Sequence, residues 1–267
     1  MHEAIVNDEV RFTIVTASFN ALDGLRRTVE SVAAQENSAV EHIVIDGGSS
    51  DGTRAYLEEM GDRLRWISEP DEGIGDALNK GIAMASGDYI LVLQAEDVFV
   101  DNGALGRVAG ELVDRGRHGR IDVAAFDVIL DFGDRRVLRK ARPLSFLSDF
   151  KMTCPHQGMF VSRALYEKIG GFDATYRVAM DYEWLLRARN AGARLLAFDR
   201  VVAIMPATGV STRTDWPSVS HRLSEDRRLQ AQHARNAAGR AVNRVFWVVY
   251  RPFKQVKSRI GSRASAA

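Results

Sequence analysis

Two adjacent acids, Glu96 and Asp97, directly follow an apolar run in the stretch "DYILVLQAEDVF" at residues 88–99. Like charges placed side by side next to buried apolar residues raise each other's pKa unless a cation, a ligand or solvent compensates them. Carboxylate oxygens are hard ligands that suit Mg²⁺ or Mn²⁺, and such an ion can bridge phosphate groups. Alternatively, one of the acids caps a following helix, because Asp is a favoured N-cap residue. Both interpretations are open at this point.

The stretch "DGGSSDGT" places Asp46, two glycines and several hydroxyls after the β-rich run from Val40 to Ile45. Glycines allow backbone N–H groups to approach a ligand closely, and a carboxylate can accept a hydrogen bond from a ribose hydroxyl or a base N–H. The same residues also suit a tight turn in which Asp51 or Thr53 starts the next helix, and both interpretations can hold together. The absence of GxGxxG after the first strand weakens a Rossmann dinucleotide site, and the absence of GxxxxGK[ST] excludes a P-loop.

Short β-rich runs alternate with amphipathic helical segments through the first hundred residues. The predicted order is strand "RFTIVTASFN", helix "ALDGLRRTVESVAAQ", strand "VEHIVID", helix "TRAYLEEMG", strand "LRWISEP", helix "GIGDALNKGIAMASG" and strand "DYILVLQ". This alternation predicts a parallel sheet with helices on both faces. Ligands bind where the carboxyl ends of such strands face outward. The loops at 17–20, 46–51, 69–73 and 94–97 are therefore expected to meet at one edge.

The pattern changes after residue 100. We expect strands joined through the turn "FGDR", then a strand and a short helix in "HQGMFVSRALYEKIGGFD". "MDYEWLLRARNAG" has helical spacing and ends at Gly192, and "RLLAFDRVVAIM" is predicted to be a pair of late strands.

Composition indicates an ordinary globular α/β protein. The 267 residues are 46% hydrophobic and 27% charged, enough to bury a sizeable core. The single cysteine, Cys154, excludes an internal disulfide and a metal–thiolate cluster. Acids near the N-terminus argue against a signal peptide, and no apolar run reaches the roughly 18 residues of a spanning helix. We therefore expect a cytoplasmic protein.

The C-terminal segment differs in charge from the rest of the chain. Residues 234–267 contain eight Lys or Arg and no Asp or Glu, whereas the whole chain carries only +1, so the preceding part is acidic. Phe246, Trp247, Tyr250 and Phe253 alternate with these cations. Three interpretations compete: a helix packed on the body or a partner chain, a surface helix on an anionic membrane through residues 240–260, or a nucleic-acid contact. The acidic body argues against nucleic acid, and Pro252 is expected to break or kink a helix.

Several separated motifs, in their order, resemble glycosyltransferase family 2, the inverting enzymes with a GT-A fold. They are "TIVTASFNALDGLRRTVESVAAQ", "HIVIDGGSSDGT", "SEPDEGIGDALNKGIAMASGDYILVLQAEDVF", "HQGMF" and "IGGFDATYRVAMDYEWLLR", and the resemblance covers roughly residues 10–215. It is strongest to bacterial members that assemble exopolysaccharide, capsule or lipopolysaccharide. It implies a Rossmann-like, mostly parallel sheet flanked by helices, here with a basic helical C-terminal extension.

The resemblance also implies donor-binding roles for particular residues. Asp97 matches the metal ligand for Mg²⁺ or Mn²⁺, and Glu96 lies near the ribose or a metal-bound water. Relatives usually have Asp at the position of Glu96, and many have a second acid at the position of Gly47. The other residues that match donor-binding positions, in the loop from Thr16 to Asn20 and beyond it, are Thr16, Ser18, Phe19, Asp46 and Asn79.

Asp181, in "MDYEWLL", matches the family's catalytic base. An inverting transfer needs a carboxylate that takes the proton of the acceptor hydroxyl as this hydroxyl attacks the anomeric carbon. The alternative is that Asp181 is the N-cap of the helix that follows. His156 and Gln157 could contact the donor phosphates or the acceptor, although a lone His is more often structural.

We therefore expect an enzyme that transfers one sugar from a nucleotide-diphosphate donor to a hydroxyl of a glycan or lipid-linked acceptor in bacterial surface polysaccharide synthesis. Residues 1–215 would form the glycosyltransferase domain, with a nucleotide-binding half (about 1–100) and an acceptor half (101–215), and 216–267 a basic helical tail. It would work in the cytoplasm, peripherally on the inner face of the plasma membrane, without nucleic acid. The alternatives are a sugar-nucleotide pyrophosphorylase, which would need a glycine-rich basic loop that "TASFNALDG" lacks, and a degenerate sugar-nucleotide-binding scaffold.

Overall fold

A computed structural model describes residues 10–36, 39–207 and 215–264 of the protein. The first half builds four parallel strands in the order β3-β2-β1-β4, connected by three helices. These elements are β1 (Arg11–Ser18), α1 (Leu22–Ala33), β2 (Ala39–Asp46), α2 (Thr53–Met60), β3 (Arg65–Ser68), α3 (Ile74–Met84) and β4 (Tyr89–Val92). Each element that the hydrophobic pattern predicts in this half is present, in the predicted order.

The second half extends the same sheet beyond β4. Its elements are β5 (Val98–Phe99), α4 (Ala104–Gly116), β6 (Val123–Asp131), β7 (Arg136–Arg139), β8 (Met159–Ser162), α5 (Arg163–Ile169), α6 (Met180–Asn190) and β9 (Leu195–Pro206). The sheet continues as β4-β8-β6-β9-β5, and β7 pairs with β6 in a hairpin. Here β8 is antiparallel to both of its neighbours, whereas β6 and β9 are parallel. The predicted turn "FGDR" is the loop of this hairpin.

The sheet is buried on both faces, which explains why β1 and β4 read as continuous apolar runs. Val15 and Ile90 belong to a cluster under α3 and α6, whereas Ile14 and Leu91 belong to a cluster that includes residues of α4. Phe126 of β6 is fully buried between Phe160 and Phe198, with ring centroids 5.6 and 4.8 Å away. Two apolar layers therefore hold the strand ends in fixed positions.

The prediction of a late strand pair is wrong, because residues 195–206 form the single strand β9. Its pairing with β6 shifts register around Asp127, which is the mark of a β-bulge. Asp199 and Arg200 lie exposed at this point and pair with Lys140 and Glu111. The polar interruption in the sequence is a bulge and not a turn.

Two helices form the C-terminal extension: α7 (Trp216–Gln232) and α8 (Ala237–Ala264). Pro252 lies inside α8 and does not end it. The carbonyl that loses its amide partner belongs to Val248, which is exposed, so water can replace the missing donor. Among the described residues, none of the helices combines the length and the apolar character needed to cross a bilayer.

Candidate active site

The loops that follow the parallel strands meet at one edge of the sheet, as the sequence predicts. The amide of Gly47 donates to the carbonyl of Ser18 at 2.9 Å, and the amide of Glu69 donates to the carbonyl of Asp46 at 3.0 Å. Ala95 donates to the carbonyl of Ala17 at 3.3 Å. These backbone bonds continue the strand ladders by one residue and join the four loops into one surface.

Residues 94–97 form a tight turn that directs the side chains of the two adjacent acids, Glu96 and Asp97, to different sides. The amide of Asp97 donates to the carbonyl of Gln94 at 3.0 Å, and the amide of Gln94 donates to the Asp97 carboxylate at 3.2 Å. Glu96 has φ = +84°, a conformation that costs a non-glycine residue free energy. Its side chain lies against Gly24 of α1, and its carboxylate is 4.0 Å from the guanidinium of Arg27. The backbone thus directs Glu96 towards α1 and leaves Asp97 on the inner side.

Asp97 is buried, and burial raises the pKa of its carboxyl to about 6. The charge of His156 and hydrogen bonds from the Gln94 amide and the Gln157 side chain act in the opposite direction and favour the carboxylate. Gln157 is itself buried. This contact gives Gln157 a defined position beside the acid that the sequence assigns to the metal.

His156 and Gln157 lie on one turn of 3-10 helix, residues His156–Gly158, which precedes β8. A side chain at Gly158 would collide with the carbonyl of Phe126 in β6, so only glycine allows this close approach. The Nδ1 atom of His156 is 3.2 Å from Oδ2 of Asp181, and its Nε2 atom is 3.3 Å from Nε2 of Gln94. Burial alone would lower the pKa of His156, but the hydrogen bond to Asp181 and the charges of Asp181 and Asp97 raise it. His156 therefore links Asp181 to Gln94, the first residue of the turn that carries Asp97.

Asp181 lies in the first turn of α6 and faces a cleft, with about a quarter of its side chain exposed. The N-cap position belongs to Ala179, so the alternative interpretation of Asp181 as the N-cap is wrong. Glu225 of α7 holds the segment that leads into α6, because its carboxylate accepts hydrogen bonds from three successive amides. These amides belong to Arg177, Val178 and Ala179, at 2.8, 2.9 and 2.9 Å. Oδ1 of Asp181 accepts the amide of Tyr182 at 2.7 Å, whereas its Oδ2 faces His156. The segment before Asp181 is held by the extension through Glu225.

The cleft has a volume of about 960 Å³ and contains both Asp97 and Asp181. Ile74 and Leu78 of α3 also line it, and its other walls come mainly from the second half of the chain and from α7 and α8, the latter through Tyr250. Asp226 of α7 also lines it, and burial together with the nearby charges of Asp181 and Glu225 raises the pKa of Asp226 to about 7 against the opposing effect of Arg222. The cations that line the cleft are Arg139, Lys140, Arg142, Lys151, Arg177 and Arg222.

The residues expected to bind the donor have different positions. Thr16 is buried and donates to the carbonyl of Leu93 at 2.7 Å, with His42 Nε2 at 2.9 Å. Asn79 of α3 donates to the carbonyl of Phe172 at 2.8 Å and accepts from its amide at 2.7 Å. Both side chains join elements of the fold, and their donor-binding roles stay predictions.

Ser18 and Phe19 lie at the open end of β1. Ser18 Oγ is buried and, within the described part of the chain, has no hydrogen-bond partner, which is unusual for a buried hydroxyl. The ring of Phe19 is 64% exposed. An unsatisfied hydroxyl beside an exposed aromatic ring is consistent with a ligand-binding surface.

Sequence reasoning did not find the contribution of α7 to the site. Glu225 and Ala179 are 46 positions apart, and no periodicity in the sequence links them. No motif around "MDYEWLL" points to an acid in α7.

The sheet order and the loops that meet at the strand ends match the GT-A fold that the sequence resemblance implies. A family model described as glycosyl transferase family 2 matches residues 13–170. The chain belongs to glycosyl transferase family 2, which confirms the resemblance in the sequence and makes the protein a glycosyltransferase.

Two mycobacterial relatives illustrate the membership. The chain is 42% identical over 182 residues to an uncharacterized glycosyltransferase of Mycobacterium tuberculosis, covering 66% of this chain and 68% of the relative. It is 31% identical over 195 residues to a PGL/p-HBAD biosynthesis glycosyltransferase of Mycobacterium bovis, covering 72% of this chain and 74% of the relative.

Solved structures share the fold at low sequence identity. Staphylococcus aureus TarS 1–349 in complex with UDP-GlcNAc superposes with a TM-score of 0.64 at 18% identity, over 85% of this chain and 67% of that one. The longer TarS structure is covered to only 40% of its length. The mannosyltransferase PcManGT of Pyrobaculum calidifontis, in complex with GDP-Man and Mn²⁺, gives a TM-score of 0.67 at 16% identity over 97% of this chain and 76% of that one. These likenesses support the GT-A fold.

Proposed function

We propose that the protein is an inverting glycosyltransferase that moves a sugar from a nucleotide-diphosphate donor to a hydroxyl of a lipid-linked or glycan acceptor. One observation carries this proposal: Asp97 and Asp181 line the same cleft, and His156 lies between them, with Nδ1 towards Asp181 and Nε2 towards the 94–97 turn. One carboxylate thus serves the leaving group and the other the acceptor.

In the proposed reaction, Asp181 accepts the proton of the acceptor hydroxyl as its oxygen forms a bond to the anomeric carbon. The bond between this carbon and the diphosphate oxygen breaks, and the nucleoside diphosphate leaves with the electron pair. His156 holds the Asp181 carboxylate in position through Nδ1. The neighbouring carboxylate of Asp226 lies where it can bind acceptor hydroxyls.

Asp97 would hold the divalent cation. In the described part of the chain, no three His, Cys, Asp or Glu side chains form a group that could bind a metal by themselves. Mg²⁺ characteristically binds one or two carboxylates together with substrate phosphates, so the buried Asp97 fits an ion that the donor diphosphate shares. Bound there, Mg²⁺ or Mn²⁺ would offset the charge that develops on the leaving group.

The C-terminal extension suggests where the acceptor comes from. One side of α8 exposes Val245, Val249 and Phe253, and the exposed Phe146 adjoins this surface because Phe150 contacts both Phe146 and Phe246 with centroid distances of 4.9 Å. Arg240, Arg244 and Arg251 are exposed on the same helix, and 234–267 contain no acid. Apolar residues flanked by cations favour the surface of an anionic membrane.

We therefore propose that residues 240–260 contact the cytoplasmic face of the plasma membrane and that the acceptor is lipid-linked. Phe150 and Tyr250 line both the cleft and this apolar surface, so a lipid-borne sugar could enter from the membrane side. Residues 1–215 would be the glycosyltransferase domain, with its donor half up to about residue 100, and 216–267 would complete the acceptor wall. The mycobacterial relative named for PGL/p-HBAD biosynthesis supports a role in surface glycolipid or polysaccharide assembly.

The reaction is tested by measuring nucleoside diphosphate release from UDP- and GDP-sugars with Mn²⁺, with and without a bacterial lipid extract. Asp181→Asn should abolish turnover and retain donor binding, measured by calorimetry. Asp101→Asn is the matched control, because Asp101 is an exposed acid paired with Arg107 outside the cleft. Unchanged turnover in Asp181→Asn would refute the proposed base and revive the degenerate scaffold.

Membrane contact is tested by co-sedimentation of the full chain with phosphatidylglycerol vesicles and with phosphatidylcholine vesicles. Val245→Glu and Val249→Glu should reduce binding to the anionic vesicles. Val113→Glu, on an exposed part of α4, is the control. Equal binding by all variants would show that α8 is not the contact.

A further inference from the structure

The carboxylate of Asp46 is occupied by the protein itself. Asp46 is fully buried and accepts hydrogen bonds from the amide of Ser49 at 3.1 Å, from the Ser49 hydroxyl, and from the Ser68 hydroxyl at 2.7 Å. These bonds fold the 46–51 loop back on its strand and connect it to the end of β3. Asp46 is therefore a poor candidate for the residue that recognises the donor base, although the sequence motif assigns it there.

Gly47, the next residue, leaves an open space that another acid occupies. A Cβ atom at Gly47 would lie 2.6 Å from Oδ2 of Asp71 and 3.3 Å from Cδ2 of Phe19. Relatives often have a second acid at the position of Gly47. In this chain, the carboxylate of Asp71, from the loop after β3, lies in the space that such a side chain would occupy.

Asp71 is held differently from two neighbouring acids, Glu69 of the same loop and Asp76 of α3. Its Oδ1 accepts the amide of Gly73 at 2.9 Å, which fixes the side chain and leaves Oδ2 directed at Gly47. Glu69 and Asp76 both pair with the ammonium of Lys80, at 2.7 and 3.2 Å. Local pairing therefore compensates the charges of Glu69 and Asp76, whereas Asp71 faces the loop surface where the strand ends meet.

The surroundings of Asp71 suit a planar ring with an N–H group. Phe19 lies on the other side of Gly47 and exposes most of its ring, so it offers a face on which an aromatic base can stack. Ser18 supplies a buried hydroxyl without a partner in the described chain, and its carbonyl accepts the amide of Gly47. A stacking face, an unsatisfied hydroxyl and a carboxylate thus converge on one glycine.

We propose that Asp71 is the residue that recognises the donor base, in place of the acid missing at Gly47, with Phe19 as the stacking surface. An ionised carboxylate only accepts hydrogen bonds, so it binds a ring N–H on the pairing edge of a base and repels an acceptor ring nitrogen at that position. Uracil, thymine and guanine have such a ring N–H, whereas cytosine and adenine have an acceptor nitrogen at the corresponding position. The donor is therefore a uridine, thymidine or guanosine diphosphate sugar. This inference rests on the proposed function, because it requires a nucleotide donor.

The experiment measures the Kd of UDP, GDP, CDP and ADP for the full chain with Mn²⁺ by calorimetry. The wild type should bind UDP or GDP at least about 10-fold more tightly than CDP and ADP, since each unpaired polar group at the base site weakens binding. Asp71→Ala should lose this preference through weaker binding of the favoured nucleotide. Gly47→Ala should weaken binding in the same way, because the new methyl group displaces the Asp71 carboxylate.

Glu72→Gln is the matched control, because Glu72 is an exposed acid of the same loop, and its variant should bind as the wild type does. Equal thermal unfolding of all variants shows that the fold is intact. If Asp71→Ala kept the preference of the wild type for UDP or GDP over CDP and ADP, the assignment of Asp71 would be overturned. The proposed function would still stand. Failure of the wild type to bind any nucleoside diphosphate would instead overturn the proposed function and the assignment with it.

Discussion

The imidazole of His156 contacts the proposed base, with its Nδ1 atom 3.2 Å from Oδ2 of Asp181. Its other nitrogen faces Gln94, the first residue of the turn that carries Asp97. Since Pro155 and Gly158 fix the 3-10 turn of His156 against β6, the ring has little freedom to follow Asp181 if α6 moves. His156 is thus a positioning residue for the proposed base.

Loss of the His156–Asp181 contact should lower kcat. Asn places an amide nitrogen near the position of Nδ1, whereas Gln places it near Nε2, so His156→Asn should retain part of the activity that His156→Gln and His156→Ala lose. Misplacing a catalytic group by about 1 Å costs up to roughly 100-fold in rate, which sets the scale for His156→Ala. Steady-state kinetics with the preferred donor checks the order of the variants. Equal activities of the His156→Asn and His156→Gln variants would show that Nδ1 is not the atom that positions Asp181.

Removal of the charge of Asp97 should impair turnover far more than removal of the charge of Glu96. Asp97→Asn should abolish turnover and the effect of Mn²⁺ on nucleotide binding, because the buried carboxylate is the proposed protein ligand. Glu96→Gln should change kcat less than about threefold, since exposed ion pairs such as that with Arg27 contribute only 0–1 kcal/mol. Titration of both variants with UDP and GDP, with and without Mn²⁺, separates the two roles. A large loss in Glu96→Gln would place its side chain in the donor site.

Glu225 should stabilise the protein and position Asp181. Removal of an ionised acceptor from buried amides costs about 1.5–3 kcal/mol per hydrogen bond, so Glu225→Ala should lower the free energy of unfolding by at least about 2 kcal/mol. The variant should also have a lower kcat at temperatures well below its unfolding transition, where it is folded. The reason is that residues 177–179 directly precede the segment that carries the proposed base.

The control for Glu225 lies at the start of the same helix. Asp215 is the N-cap of α7 and accepts the amide of Ser218 at 2.9 Å, and Asp215→Ala should cost about 1 kcal/mol. Urea unfolding and kcat are measured for both variants. If Asp215→Ala lowered kcat as much as Glu225→Ala does, the loss would reflect weakened docking of α7 rather than positioning of Asp181.

Local patterns account for what was predictable from the sequence, and tertiary contacts account for what was not. The strands from β1 to β4 and their loops follow from apolar runs and turn residues, so the convergence of Ser18, Asp46 and Asp97 at one edge was predictable. The hydrogen bonds from the amides of residues 177–179 to Glu225, and the occupation of the space at Gly47 by Asp71, depend on segments that meet only in the folded chain. The bulge in β9 was misread because Asp199 and Arg200 have turn-like polarity, whereas their ion pairs hold them on the surface of a continuous strand.

His42 should make the stability of the protein depend on pH. Its side chain is buried beside Thr16, and burial lowers the pKa of the imidazole to about 4. The unfolded chain takes up a proton near pH 6.5 and the folded chain does not, so the free energy of unfolding falls as the pH decreases from 6.5 towards 4. At 1.36 kcal/mol per pKa unit, the contribution of this residue is up to about 3 kcal/mol.

Urea unfolding of the wild type and of His42→Gln between pH 7 and pH 4.5 isolates this contribution from the titration of other groups. Gln retains a polar atom near Thr16 but does not titrate, so the stability of the variant should decline less steeply below pH 6.5. At pH 7 the variant should be the less stable protein, because its side chain does not fill the space of the ring. Parallel pH profiles of the two proteins would mean that His42 takes up a proton equally well in the folded and unfolded states, which would contradict its lowered pKa.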